Sequence, residues 1–311
     1  MKKYWWIFLG IVLVVILAGG YYYWNWHQFN EVPVVTQSTS QGNVNGDKTD
    51  GKPKTGTTNF LLMGSDARGD EASRADVIMV ISADFDTKKI SVISIPRDTR
   101  VNLPEVGLTK INHANSLGEA EGGVHEGTVA TAQAVSDLLS IDINYYAKID
   151  FEGFKSLVDA LGGVDVDLPY DVNDDVQQIY LTEGTHHLNG DEALRLARAR
   201  FGLPNGDLDR QRNQYLIMTA LGEEALDKDN ISKLPNLIKV GKEQLQDTNI
   251  KDSEALGMGL ALTGTTMDNV KYYQLPGHPL RAVDPLVGAE VYYFEPDQAG
   301  IEQIMREIEQ G

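Results

Sequence analysis

Apolar and polar residues after position 58 recur with two different periods along the chain. Short β-branched and apolar runs predict strands, and runs with apolar residues three and four apart predict amphipathic helices. The predicted strands cover residues 59–64, 76–85, 89–95, 145–149, 164–168, 270–275 and 290–294. The predicted helices cover residues 127–139, 151–161, 190–200, 209–226, parts of 230–262 and 297–309. This mixture predicts an α/β domain with three layers, α-β-α, around a mixed central sheet.

Turn residues separate several of these elements. Asp86-Thr87-Lys88 lies between the second and third strands and predicts a hairpin. Pro96 ends the third strand because proline has no N–H to donate to a ladder. Gly162-Gly163 stops the helix at 151–161.

The N-terminal region has a different pattern, which predicts a membrane anchor. Lys2 and Lys3 precede a run from Tyr4 to Trp26 that contains no charged residue, long and apolar enough to cross a bilayer once as a helix. The lysines predict a cytoplasmic N-terminus, and the aromatic cluster at 21–26 is typical of the outer interface. A cleaved signal peptide is the competing interpretation, but the apolar run is longer than a usual signal core.

The chain between the anchor and the first strand is polar and predicts a flexible linker. It is rich in Ser, Thr, Gln, Asn and Gly, so it buries too little apolar surface to offset the entropy of ordering. We therefore expect an anchor at 1–27, a linker at 28–57 and one extracellular domain at 58–311. The chain contains no cysteine, so this domain depends on a hydrophobic core, and its length suffices for one. The anchor and the cysteine usage fit the membrane of a Gram-positive envelope.

Arginine is concentrated in two short windows. Nine of the eleven arginines lie there: Arg68, Arg74, Arg97, Arg100, Arg195, Arg198, Arg200, Arg210 and Arg212. The formal net charge of −18 argues against nucleic acid, which requires a net-positive face. Guanidinium groups hold phosphate oxygens through paired hydrogen bonds, so the windows indicate a compact di- or pyrophosphate pocket. The alternative is that these arginines pair with nearby carboxylates on a solvated surface, which is plausible for Arg195 and Arg212.

Carboxylates accompany the arginines and indicate a divalent cation. They are Asp66, Asp70, Asp76, Asp98, Asp207 and Asp209. Mg²⁺, or Mn²⁺ in its place, is commonly held by one or two carboxylates plus substrate phosphate. Asp66 and Asp76 lie at the ends of neighbouring predicted strands, where two carboxylates can share one ion, although ordinary loop salt bridges are an equal alternative.

The spacing of the second window limits how its side chains are directed. Arg198 and Arg200 are about 200° apart on a helix, so both face one ligand only if the helix ends there, which Gly202 favours. Arg210 and Gln214 are one turn apart and share a face. His113 is a possible general base, but no nucleophile motif accompanies it, and a structural hydrogen-bonding role is favoured.

Several segments together resemble the LytR-CpsA-Psr family of cell-envelope proteins. They are NFLLMGSDAR, SRADVIMV, SVISIPRDTRV, KINHAN, YYAKIDFEGFKSLVDALGGVDVDLP, HHLNGDEALRLARAR and DLDRQRNQ, and they span residues 58 to 226. The resemblance implies a phosphotransferase that moves a glycopolymer from a polyprenyl-pyrophosphate carrier to peptidoglycan. The sequence departs from the family pattern at Asn213 and Tyr215, on either side of Gln214.

The resemblance also implies roles for individual residues. Asp66 and Asp76 match the residues associated with Mg²⁺. The pyrophosphate-binding residues would be Arg74, Arg97, Arg198, Arg200, Asp207, Arg210 and Gln214, and Arg68, Arg100 and Lys110 are further candidates. The chemistry of the reaction adds two expectations of its own. The acceptor hydroxyl needs a group to take its proton, and Asp66, Asp76 and Asp98 are the candidates, so that these aspartates and Arg97 form the catalytic set. The helices at 127–139, 151–161 and 209–226 are candidates for an apolar slot that holds the prenyl tail.

Two other functions use the same residues. A pyrophosphohydrolase would give the same lipid-linked substrate to water, and the sequence separates it poorly from a transferase. A non-catalytic regulator would only bind the lipid intermediate, but binding alone would not require a divalent cation. Teichoic acid, capsule and other wall polysaccharides would all present the same pyrophosphate, so each of them fits this interpretation.

Overall fold

The described chain is built around one six-stranded sheet flanked by helices. A computed structural model describes residues 57–66, 73–226 and 234–310. The strands are β1 Thr57–Ser65, β2 Ala75–Asp84, β3 Lys89–Ser94, β4 Arg100–Leu103, β5 Gly107–Lys110, β6 Tyr145–Asp150, β7 Val164–Leu168, β8 Val172–Asp174, β9 Ile179–Leu181, β10 Gly184–Leu188, β11 Leu245–Thr248, β12 Val270–Gln274, β13 Gly277–Asp284 and β14 Ala289–Pro296. The helices are α1 Asn112–Gly122, α2 Val124–Leu139, α3 Phe151–Leu161, α4 Gly190–Arg198, α5 Asp207–Leu226, α6 Leu234–Glu243, α7 Asp252–Leu262 and α8 Gln298–Gln310.

The central sheet is mixed, as the sequence predicts. Its strand order is β11-β6-β1-β2-β3-β12. β1, β2 and β3 pair in antiparallel fashion, whereas β6 and β12 run parallel to β1 and β3. The predicted hairpin turn is confirmed: Oδ1 of Asp84 accepts hydrogen bonds from the N–H groups of Asp86 and Thr87 at 2.8 and 3.0 Å.

Both faces of the sheet are covered, so the predicted α-β-α layering is confirmed. Leu61 and Ile78 point to one face, where they pack in a core with Val135 of α2 and Ile301 of α8. Their neighbours along the strands point to the other face, where Met79 packs with residues of α5. A further core joins α3, α4 and α5 to the small β7–β10 ladder.

The predicted strand at 164–168 is confirmed, and it pairs with β10 outside the central sheet. Two helix limits and one missed helix need correction. The helix predicted to end at residue 200 ends at Arg198, and the next begins at Asp207 instead of residue 209. The sequence analysis missed α1 because its buried face consists of small and polar residues, among them Asn112, Ala114 and Gly118, and has no apolar period.

The predictions for the N-terminal region concern residues outside the described part of the chain. The proposed anchor at 1–27 and the proposed linker, apart from Thr57, lie outside the described residues, as do Arg68 and Asp70. Within residues 57–66, 73–226 and 234–310, none of the helices has the length and hydropathy needed to span a bilayer.

Candidate functional site

A cavity of about 380 Å³ lies between the sheet and the layer formed by α3, α4 and α5. Its charged lining comes from the ends of elements and forms what we term the polar end: Asp66, Asp76, Arg97, Asp150, Arg198, Arg200 and Arg210. Its apolar lining lies further along the same strands and helices and forms the apolar end: Leu62, Met79, Phe154, Leu157, Leu194, Ile217, Met218 and Leu221. One cavity therefore offers cationic groups beside a hydrophobic compartment.

Asp66 and Asp76 reach the polar end from neighbouring strands. β1 and β2 pair up to an irregularity between Gly64 and Ser65, which places Asp66 beside the start of β2. Oδ1 of Asp66 accepts a hydrogen bond from the backbone N–H of Arg74 at 3.0 Å. Oδ1 of Asp76 accepts one from the Arg97 guanidinium at 2.5 Å. The expected juxtaposition of the two carboxylates at neighbouring strand ends is therefore present.

Arg97 enters the polar end directly after β3. Ile95 still donates its N–H to Ile78 at 2.9 Å, so the chain is held to β2 up to the residue before Pro96. Burial lowers the pKa of Arg97, but the charge of Asp76 outweighs burial, and the net pKa is raised. Among the described residues, the Nε of Arg97 is buried without a hydrogen-bond partner. The guanidinium is thus held in its charged form beside Asp76, and its Nε–H makes no hydrogen bond to the described residues.

Arg198 and Arg200 face the same cavity because the helix ends between them. α4 stops at Arg198, and Ala199 is extended with φ −60° and ψ 129°. Because the chain changes direction at Ala199, Arg200 lines the same cavity as Arg198, although the two would lie about 200° apart on a continuous helix. The Arg198 guanidinium lies 4.9 Å from the centre of the Phe151 ring, a cation–π contact.

α5 supplies Arg210 and Gln214, one turn apart on one buried face. Nε of Arg210 donates to Oδ1 of Asp207 at 2.9 Å, and the amide of Gln214 donates to the carbonyl of Ala197 at 3.0 Å. Burial raises the pKa of Asp207, but the charges of Arg210 and Arg200 outweigh it, so the net pKa is lowered. Asp207 is not part of the cavity lining. It pairs with Arg200 and Arg210, which do line the cavity.

The residues present fit a divalent cation that binds together with its substrate. Each of Asp66 and Asp76 has one oxygen engaged by the protein, and the described residues offer no partner to the other. No group of three or more metal-ligating side chains occurs in the described part of the chain, so a complete protein cage is not present there. Two carboxylates completed by phosphate oxygens and water are the arrangement that suits Mg²⁺.

Other predicted residues lie close to the polar end without lining it. Asp98 accepts a hydrogen bond from Lys110 at 2.6 Å, and Arg100 pairs with Glu295 at 3.3 Å. Arg74 is exposed, and of its atoms only the backbone is seen to contact Asp66. Asp209 accepts from the N–H of Asn205 at 2.7 Å. The structure thus divides the predicted set into cavity-lining residues and residues that surround them.

Arg195 and Arg212 lie away from the cavity, in agreement with the surface interpretation. Arg195 pairs with Asp191 at 2.8 Å, and Arg212 is exposed.

His113 is held in a hydrogen-bonded chain: the Thr109 hydroxyl lies 2.7 Å from its Nδ1 and donates to Asp284 at 2.8 Å. The Thr109 hydroxyl has a single hydrogen, which it donates to Asp284. The hydrogen in its contact with His113 is therefore the one on Nδ1, and Nδ1–H donates to the hydroxyl oxygen. Burial lowers the pKa of His113 despite the charge of Asp284, and the ring stays neutral at pH 7.

Of the three helices named as candidates for an apolar slot, two line the cavity and the third does not. Residues of α3 and α5 line the apolar end, as expected. The helix at 127–139 packs on the opposite face of the sheet, where Ala132, Val135 and Leu139 belong to the core. Its amphipathic pattern is that of a core helix, and periodicity alone does not show which face of a sheet a helix covers.

Several lining residues were not singled out from the sequence, among them Asp150, Phe151, Phe154, Gln177 and Phe201. The aromatic residues have the spacing of ordinary core positions. Gln177 lies in a turn between β8 and β9, two short strands that the sequence analysis did not detect. Only the packing of this hairpin against the chain after α4 brings it to the cavity.

Comparisons with known proteins agree with these observations. The profile of the LytR_cpsA_psr family matches residues 24–310. TagV of Bacillus subtilis (strain 168), named polyisoprenyl-teichoic acid–peptidoglycan teichoic acid transferase, is 31% identical over 319 residues, covering 100% of this chain and 78% of TagV. TagU of Bacillus mycoides (strain KBAB4), with the same transferase name, is 33% identical over 311 residues, covering 96% and 95%.

Solved structures show the same architecture. The crystal structure of B. subtilis TagV superposes with a TM-score of 0.69 at 33% identity, covering 83% of this chain and 97% of that one. A structure described as TagT bound to LI-WTA superposes with a TM-score of 0.64 at 26% identity, covering 88% and 98%.

Proposed function

Because the chain belongs to the LytR-CpsA-Psr family, we propose that it is a phosphotransferase that moves a glycopolymer from a polyprenyl-pyrophosphate carrier to peptidoglycan. The names of its relatives make teichoic acid the first polymer to test. We place the catalytic domain outside the cytoplasm, behind a single-pass anchor at residues 1–27, where its lipid-linked donor and its acceptor meet.

The observation that carries this proposal is the continuity of the polar and apolar ends of one cavity. Four guanidinium groups at the polar end suit the charged pyrophosphate. The apolar end begins directly beside them and suits the prenyl chain, whose burial is favourable in proportion to the apolar area removed from water. A free nucleotide or an inorganic phosphate has no long hydrocarbon chain that would fill such a compartment.

The reaction needs positioning and charge more than covalent chemistry from the protein. The acceptor hydroxyl attacks the phosphorus that carries the glycan, the bond from this phosphorus to the bridging oxygen breaks, and polyprenyl phosphate leaves. Arg97, Arg198 and Arg200 stabilise the charge on the phosphoryl oxygens. The hydroxyl proton passes to a carboxylate, and the candidates are Asp66 and Asp76, which line the cavity, and Asp98, which lies beside its lining.

Mg²⁺ would be held by Asp66 and Asp76, where it supplies further neutralisation of phosphate charge. A carboxylate that ligates the ion is less basic, so one residue would not serve well as both ligand and base. The Asp76–Arg97 pair ties the arginine to the carboxylate and so aligns the two sources of positive charge on one substrate.

The deciding experiment supplies the full chain in detergent with a radiolabelled lipid-pyrophosphate glycan and peptidoglycan fragments. We expect label on peptidoglycan. Release of free phosphorylated glycan without transfer would identify a hydrolase, and tight binding without turnover would identify a binding protein. Either result would overturn the transferase proposal.

Removal of the divalent cation is expected to stop transfer. Chelation by EDTA should abolish activity, and Mg²⁺ or Mn²⁺ should restore it, because two carboxylates and a pyrophosphate otherwise repel each other at the polar end. Asp66→Asn and Asp76→Asn should raise the Mg²⁺ concentration required for half-maximal transfer. Asp137→Asn on α2, on the opposite side of the sheet, is the control. Full activity in EDTA would contradict the metal assignment.

Filling the apolar end is expected to weaken binding of long prenyl chains selectively. Ala147 of β6 lines the cavity, and Ala147→Phe would occupy part of its volume. We expect the KM for a long-chain lipid donor to rise about tenfold or more, which corresponds to the loss of a few buried methylene groups. A donor with a short prenyl chain should be affected much less. Ala160→Phe, on the exposed side of α3, is the matched control. Equal effects on both donors would contradict the slot.

A further inference from the structure

Asp174, at the end of β8, is a buried carboxylate that the transfer chemistry described above does not use. Its side chain is fully buried. Oδ1 accepts hydrogen bonds from the N–H groups of Val176 and Gln177 at 2.8 and 2.9 Å. Oδ2 accepts from the N–H groups of Arg200 and Phe201 at 2.7 and 2.9 Å. One carboxylate therefore satisfies four backbone donors from two separate segments.

Both segments that Asp174 holds contribute to the cavity. Gln177 lines it from the β8–β9 turn, and Arg200 and Phe201 line it from the chain after α4. The two segments also approach closely at Gly202, which has φ +71°, and a Cβ there would lie 2.1 Å from the carbonyl oxygen of Asn173. The hairpin and the arginine-bearing chain are thus fastened together next to the polar end.

The charge of Asp174 is balanced by backbone dipoles. Burial raises its pKa, but the four N–H donors outweigh burial, and the net pKa is lowered. The four donors to its oxygens are all backbone N–H groups. A carboxylate that accepts several backbone hydrogen bonds is held strongly in one orientation, so it also holds the donors strongly.

Arg200 depends on this backbone anchor. Its side chain is 45% exposed, and its Nε lies 3.5 Å from Asp207, a weak contact. Arg198 belongs to a helix and stacks on Phe151, and Arg210 is buried on α5, so both have other supports. The direction of Arg200 is set mainly by where its backbone lies.

We propose that Asp174 is a positioning residue for phosphoryl transfer, which fixes Arg200 at the polar end and joins it to the Gln177 turn. The inference rests on the proposed function only in naming the ligand as a pyrophosphate. The same turn geometry at Asp84, where Oδ1 accepts from two N–H groups, shows what an ordinary turn carboxylate does. Asp84 holds a single hairpin turn and does not lie at the cavity.

The test is a double-mutant cycle between Asp174→Asn and Arg200→Ala, with Asp84→Asn as the matched control. In Asp174→Asn the amide replaces one acceptor oxygen by a donor, so the N–H groups of one segment lose their partner. We expect kcat/KM for the radiolabelled lipid-pyrophosphate glycan to fall about a hundredfold, the cost of misplacing a catalytic group by about 1 Å. Asp174→Asn should cause almost no further loss when Arg200→Ala is already present.

Two results would overturn this inference. One is a loss in Asp174→Asn that is undiminished in the Arg200→Ala background, which would show a structural effect independent of Arg200. The other is an equal loss in Asp84→Asn. If Asp174→Asn fails to fold by circular dichroism, Asp174→Glu replaces it in the cycle, because it keeps the charge while displacing both segments.

A separate readout keeps the inference independent of the transferase proposal. Binding of inorganic pyrophosphate to the full chain is measured by calorimetry. If the wild-type chain transfers no glycan, Asp174→Asn and Arg200→Ala should still weaken pyrophosphate binding equally and non-additively. Unchanged pyrophosphate affinity in Asp174→Asn would refute the positioning role, whatever reaction the protein performs.

Discussion

Replacement of Arg97 by alanine is expected to lower the rate of glycopolymer transfer by about a hundredfold to a thousandfold, the usual cost of removing one donor that stabilises transition-state charge. Arg97 combines three properties within the polar end. It pairs with Asp76 at 2.5 Å, its pKa is raised by that carboxylate, and its buried Nε has no hydrogen-bond partner among the described residues, with Asp98 4.0 Å away. Arg97→Lys should not restore activity, because an ammonium group lacks the planar fork of donors.

The measurement for Arg97 is single-turnover transfer of labelled glycan, with circular dichroism to verify folding. The control is Arg306→Ala on α8, an exposed arginine that pairs only with Glu302 at 3.5 Å in the described structure and should be nearly silent. Wild-type activity in Arg97→Ala, or a similar loss in Arg306→Ala, would contradict the site assignment.

Replacement of Lys148 by methionine is expected to destabilise the fold by about 3 to 5 kcal/mol, because it leaves a buried carboxylate without its cation. The Lys148 side chain is fully buried on β6, where it pairs with Glu119 of α1 and donates to Oδ1 of Asn115 at 2.8 Å. Glu119 also accepts from the Ser73 hydroxyl at 2.8 Å. The pair therefore ties the chain just before Arg74 to the core. Equilibrium unfolding in urea measures the change in free energy.

Two variants separate the buried charge from other causes. Lys155→Met removes a partly exposed cation whose partner Glu152 is exposed, and should change stability little. The double variant Lys148→Met, Glu119→Leu removes both charges and should recover much of the lost stability. A loss in Lys148→Met no larger than in Lys155→Met would contradict the argument.

The same pair gives the fold a dependence on pH. Burial raises the pKa of Glu119, but hydrogen bonds from Lys148 and Ser73 outweigh it, so the net pKa is lowered from its ordinary value of 4.5. A lowered folded-state pKa means that the contribution to stability is present above pH 4.5 and is lost as pH falls through the folded-state pKa.

The sequence predicted elements well wherever local signals were strong. Strands β1 to β3 and helix α3 have clear periods and end at glycine, proline or turn residues, so their existence and their limits could be predicted. Helix α1 and the β8–β9 hairpin could not, because α1 buries polar and small residues and the strands of the hairpin are too short to show a period.

The candidate site divides in the same way. Which residue types are present, arginines in two windows with paired aspartates, is a property of the sequence alone, and it already indicates phosphate and a divalent cation. The helix end that turns Arg198 and Arg200 to one side was also predictable from the spacing. The roles of these residues in transfer stay predictions.

Only the tertiary structure decided which of these groups share a cavity. Asp98 and Lys110 have as much charge as Asp76 and Arg97 in the sequence, yet they pair with each other beside the cavity lining. Helix α2 has the amphipathic pattern expected of a slot wall, yet it covers the other face of the sheet. A sequence determines chemical type and local period, whereas the meeting of distant segments depends on how strands pair and which face each helix covers.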